Sequence, residues 1–170
     1  MKQGTFELVE PPAWVTQEEK AFALQVVREL LARFAAADIP GRIGWDLKLI
    51  FSEKGTDRDL RFCFMLTLAG GALGFSKASL VARMRKKSHF VCGKSWISHP
   101  NNWYPHIEYV LQDNLSGEDP IEQEDHAYFN CDLTPEIVAE SITKAVQSSL
   151  VKVFGWQLPG LGEEPLAVLA

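Results

Sequence analysis

Residues 45–68 constrain this chain more than any other stretch. Trp45, Leu47, Leu49 and Phe51 share one parity. Asp46, Lys48 and Ser52 share the other, with Ile50 the only apolar residue among them. After a polar break at 52–57, Leu60, Phe62, Phe64, Leu66 and Leu68 alternate with Arg61, Cys63, Met65 and Thr67. Side chains alternate faces along a strand, so the spacing predicts a hairpin with one apolar and one mixed face. Such a hairpin is not stable alone and needs a cover.

Two segments supply that cover. Thr16, Gln17, Glu18 and Glu19 form a capping box, in which Thr16 accepts from the Glu19 backbone N–H and the Glu19 side chain reaches back. The helix it opens runs to about Ala37. Its stripe is Phe22, Val26, Leu30 and Phe34, with Ala23, Val27 and Leu31 beside them. The second helix starts at Thr134, with Pro135 in its first turn, and ends at Gly155. Ile142, Val146, Leu150 and Val153 face its core. Between and before the helices, strands are expected at 5–10 (an edge), 89–98, 106–112 and 127–131. A short helix is expected over 76–87, and loops at 99–105 and 113–125. The fold class is therefore α+β: a single antiparallel sheet with the long N- and C-terminal amphipathic helices packed on one face. Residues 1–155 form one domain, followed by a Pro/Gly-containing tail at 156–170.

Composition narrows the setting. With 170 residues the chain is long enough for one proper core. No apolar run approaches the roughly 20 residues that span a bilayer, and the N-terminus has no signal-peptide pattern. The three cysteines, Cys63, Cys92 and Cys131, are dispersed with no CxxC pair, which fits reduced thiols and a cytoplasmic protein.

The net charge is −5, but it is laid out in blocks. No carboxylate falls between Asp59 and Glu108, while Lys77, Arg83, Arg85, Lys86, Lys87 and Lys94 do. No Lys or Arg falls between Lys94 and Lys144, a stretch that holds Glu108, Glu122, Glu124 and Asp125 among others. Blocks of this kind are faces that attract each other within a fold, or a steering surface for a charged partner.

Three constellations bear on function. His99, His106, Glu108 and His126 combine imidazole with carboxylate, a donor set suited to zinc or iron and hence to a metal-dependent enzyme. Their spacing matches no metalloenzyme signature. Arg83, Arg85, Lys86, Lys87 and Lys94, within the basic stretch 77–94, have Phe90, Trp96 and Trp103 as neighbours. Cations with aromatics suit phosphates and bases, although an acidic chain argues against nucleic acid. Trp103, Tyr104, Trp156, Leu158 and Leu161, with Trp14, suit a protein contact surface, because Trp and Tyr anchor interfaces. The glycines of 69–74 match neither phosphate-binding spacing.

His99-Pro100-Asn101 resembles the His-Pro-Asn motif of ubiquitin-conjugating enzymes. There a catalytic cysteine follows shortly; here the next is Cys131, so the resemblance ends at three residues. An order of a helix, three strands, a short helix, two strands and a helix is that of type III secretion chaperones and related bacterial immunity proteins, and the general succession of helix, strands with a short helix among them, and helix expected here is similar to it. That resemblance implies a small, acidic, cytoplasmic binding protein, often a homodimer. The extra N-terminal strand and the tail depart from it. The reading is a non-enzymatic protein-binding domain of the adaptor, chaperone or immunity kind, with no cofactor. The metal-dependent enzyme and the nucleic-acid binder are its alternatives.

Overall fold

The computed structural model describes residues 4–37, 39, 43–55, 57–69, 75–86, 103–113, 121–130 and 133–155. In chain order the elements are β1 (Gly4–Leu8), α1 (Gln17–Ala36), β2 (Ile43–Lys54), β3 (Asp57–Ala69), β4 (Phe75–Lys86), β5 (Trp103–Asp113), β6 (Ile121–Tyr128) and α2 (Pro135–Phe154). The six strands form one sheet in sequence order. The class is α+β, as expected.

The sheet is mixed, which corrects the single antiparallel sheet expected from the sequence. β1 pairs parallel with β2, in the register Phe6↔Leu47, and every later neighbour is antiparallel. The cause is connectivity. The chain leaves β1, crosses through α1 and enters β2 from the same end, which is what a helical crossover dictates. The hairpin at 45–68 forms as read, with Leu47↔Phe64 and Leu49↔Phe62, and turns through Gly55 at φ 62°. A positive φ there favours glycine.

Two further expectations fail. The segment 76–87, read as a short helix, is β4. Ala78, Leu80, Ala82 and Met84 are all buried on one parity, a strand period. The acidic segment 121–125, read as loop, belongs to β6. The strand expected at 89–98 and the tail at 156–170 lie outside the described residues.

Both helices are 20 residues long and capped as the sequence indicates. Thr16 and Glu19 exchange their two capping-box bonds at 3.1 Å each, and Gly155 closes α2 at φ 69°. α1 and α2 pack on the same side of the sheet. Phe34 of α1 meets Phe64 edge-to-face at 5.8 Å, and Ser141 of α2 bonds the Tyr109 hydroxyl at 2.5 Å. The core joins Val26, Leu30, Phe62, Leu80, Ile107 and Ile142, all at 1% exposure or less. Burying such side chains contributes about 1.5–3 kcal/mol each. No helix among the described residues is long and apolar enough to cross a membrane.

Candidate functional site on the open sheet face

Because both helices lie on one side, the odd-parity residues of β3 and β4 and the even-parity residues of β2, β5 and β6 face away from the helices. The register aligns them in rows. One row runs Ile50↔Arg61↔Arg83↔Glu108↔His126 across five strands. A second runs Lys48↔Cys63↔Val81↔Val110↔Glu124.

Arg61 and Arg83 stand directly opposite each other, which alone is unfavourable. Asp59 resolves the conflict. Its carboxylate accepts from Arg61 Nε at 3.1 Å and Nη2 at 3.2 Å, and lies 2.8 Å from Arg83 Nε. The Ser52 hydroxyl donates to the same carboxylate. Asp59 is only 4% exposed, so the guanidiniums and the hydroxyl stand in for its water shell. Glu108, on β5, repeats the arrangement from the other side of β4. It accepts from Arg85 Nη2 at 3.1 Å and Nε at 3.4 Å, and lies 3.6 Å from Arg83 Nε. The basic and acidic blocks of the sequence thus meet across β4 and β5.

Among the described side chains, cations outnumber carboxylates at the β2–β4 end of this face. A depression of 480 Å³ there is lined by Lys54, Arg61, Arg83 and Arg85, with Asp59 the one carboxylate among the described lining residues. Further along the same face lies a groove of 420 Å³ lined in part by Glu7, Asp46, Lys48, Cys63, Met65 and Val81. Met65 is 37% exposed in it. Burial pushes the Cys63 thiol pKa up, and the charges of Arg61 and Lys48 offset part of the rise.

At the β5–β6 end the histidines gather. His106 Nε2 lies 2.8 Å from His126 Nδ1, with the two rings nearly parallel. Tyr128 stacks on His106 at 4.6 Å. His126 Nε2 lies 3.0 Å from Glu124. Burial lowers the His106 pKa, and the neighbouring His126 and Arg85 lower it further against the pull of Glu108. Ligand atoms of Glu108, Glu124 and His126 all lie within 4.8 Å of one another.

The residues singled out from the sequence therefore divide. His106, Glu108 and His126 come together; His99 lies outside the described residues. Arg83 and Arg85 share the open face. Lys86 does not: it turns to the helix side, 2.9 Å from Glu19 and over the Trp14 ring at 5.4 Å. Lys87 and Lys94 lie outside the described residues. So do Trp156, Leu158 and Leu161, and of Trp103 and Tyr104 only the strand position at the start of β5 is described. Trp14 is half-buried and packs edge-to-face on Phe51 at 5.9 Å.

Sequence reasoning passed over Ser52, Lys54, Asp59, Arg61 and Glu124 as site residues. The mixed parity of the hairpin already put Ser52 and Arg61 on the open face. Bringing Arg61 to Arg83 needed β4 as a strand, and the helix reading of 76–87 hid that. Against known proteins, no family model, no curated protein and no solved structure matches the chain.

Proposed function

We propose that this domain is a non-catalytic binding module that takes an acidic segment of another protein on the open face of its sheet. The observation that carries the reading is the depression formed by Lys54, Arg61, Arg83 and Arg85, where four cations meet Asp59 and the neighbouring Glu108 among the described side chains, on a chain whose net charge is −5. A local cationic site on an acidic molecule steers and orients an anionic partner. Arginine forks match carboxylates with two parallel hydrogen bonds, and their pairing to Asp59 and Glu108 holds them in place in advance.

The adjoining groove at Cys63, Met65 and Val81 supplies apolar contact. An apolar centre beside a charged rim is the ordinary anatomy of a protein interface. In an acidic peptide with interspersed apolar residues, the carboxylates fit the arginine end and the apolar residues fit the groove, whose own rim carries Glu7 and Asp46. Nucleic acid fits less well, because Lys86 is turned to the helix side and leaves the basic stretch without one of its cations. Three dispersed cysteines with no CxxC pair support a cytoplasmic setting for the encounter.

Fluorescence anisotropy with a labelled peptide alternating Glu and Leu, at low salt, tests the reading. Binding is expected, and it weakens as salt rises. Lys54→Glu, an exposed change, and the pair Arg61→Glu with Arg85→Glu each reduce affinity by 10-fold or more. Circular dichroism verifies that the variants fold. No binding at low salt, or equal affinity in the variants, overturns the proposal. Tighter binding of single-stranded DNA than of the peptide transfers the site to nucleic acid.

A further inference from the structure

We infer that Glu108, Glu124 and His126 form a binding site for one divalent transition-metal ion of the zinc class. The inference goes beyond the proposed function and stands on the other end of the face.

Glu108 and His126 are direct register partners on β5 and β6. Glu124 lies two residues before His126 and so shares its face. One ligand atom from each lies within 4.8 Å of the other two. Ligand atoms around a single tetrahedral zinc ion are about 3.3 to 3.6 Å apart, given bonds of about 2.0–2.2 Å. The three groups therefore need to close by about 1.5 Å at most. Glu124 and His126 are exposed and stand on an edge strand, so their side chains have room to do so.

The surroundings match what an imidazole ligand needs. His126 Nε2 faces Glu124 at 3.0 Å, whereas Nδ1 faces His106 Nε2 at 2.8 Å. With the proton on Nδ1 donated to His106, the Nε2 lone pair is free for the metal. An outer hydrogen-bond partner of this kind fixes the tautomer and orients the ring. Glu108 is likewise oriented by Arg85, from which both of its oxygens accept, each keeping a further lone pair. One imidazole and two carboxylates leave at least one coordination position for water or for an incoming group. The same guanidiniums that orient Glu108 repel a cation, so the ion exchanges with solvent instead of being locked in.

The test is calorimetric titration of the full chain with zinc chloride, repeated with manganese chloride, which thiols bind weakly. One ion per chain is expected. His126→Asn and Glu124→Gln, both exposed, each weaken binding 10-fold or more without changing the thermal melt. His106→Ala, which removes the outer partner alone, weakens it about 10- to 100-fold. Zinc bound to this site also shifts the Nε2 resonance of His126 more than that of Nδ1. An absence of stoichiometric binding, or affinity unchanged in both His126→Asn and Glu124→Gln, overturns the assignment. Because the peptide experiment varies Lys54, Arg61 and Arg85, the two proposals fail separately.

Discussion

The carboxylate of Asp59 lies 2.8 Å from Nε of Arg83, across the β3–β4 pair, and is almost wholly shielded from solvent. Asp59→Asn keeps the shape and the Ser52 contact but leaves Arg61 and Arg83 facing each other without the intervening charge. The arginines are partly exposed, which moderates the loss. A destabilisation of about 1–3 kcal/mol is expected. Urea denaturation measures it. In a double-mutant cycle with Arg83→Met the two losses are not additive, because the carboxylate and the guanidinium lose the same interaction.

A second test concerns Glu19, which joins local and tertiary structure. One oxygen completes the α1 capping box and the other meets Lys86 at 2.9 Å. Thr16→Ala removes the cap and costs about 1 kcal/mol. Lys86→Met leaves a shielded carboxylate without its cation and costs about 1–3 kcal/mol. Unchanged unfolding midpoints in both would contradict this account of how α1 is fixed to β4.

Much of this architecture was legible in the chain itself. Alternation over 45–68 carried the central hairpin, because one strand face is apolar throughout. Thr16 with Glu19, and Thr134 with Gly155, marked the helix ends, because orphan backbone groups there need those residue types. β4 was hidden because Leu80, Val81 and Met84 suit helical spacing as well as Leu80, Ala82 and Met84 suit a strand. Only pairing to β3 on one side and β5 on the other decides between them. β6 was hidden because an edge strand with a solvated face is rich in charge, as Glu124, Asp125 and His126 are, and charge of that kind protects a free edge. The direction of β1 follows from the crossover and leaves no trace in its own residues. The site suffered most. Its parts lie on separate strands, and the row Arg61↔Arg83↔Glu108↔His126 exists only once the register is known.

Cys63 gives a pH-dependent prediction. Its thiol pKa is raised by burial, so the fold favours the neutral form. The stability this contributes is fully present below the ordinary thiol value, about 8.5, and declines as pH rises through it toward the folded value. Native Cys63 therefore reacts with iodoacetamide more slowly than the unfolded chain at pH 8.5, by several-fold, and the gap narrows at higher pH. Peptide mass mapping after timed alkylation reads the site directly. Equal rates in the native and unfolded chain would show that the groove does not shield the thiol.

The open face as an acid-binding surface is tested most directly by nuclear magnetic resonance titration of the full chain with an alternating Glu-Leu peptide, followed through the Arg Nε–H signals. The account predicts saturable shifts at Arg61, Arg83 and Arg85 and in the backbone of β3 and β4 around Cys63 and Val81. Signals of α1 and α2 stay in place, and Lys54→Glu weakens the response. Shifts confined to the helix side, or arginine signals that do not move at low salt, would contradict it.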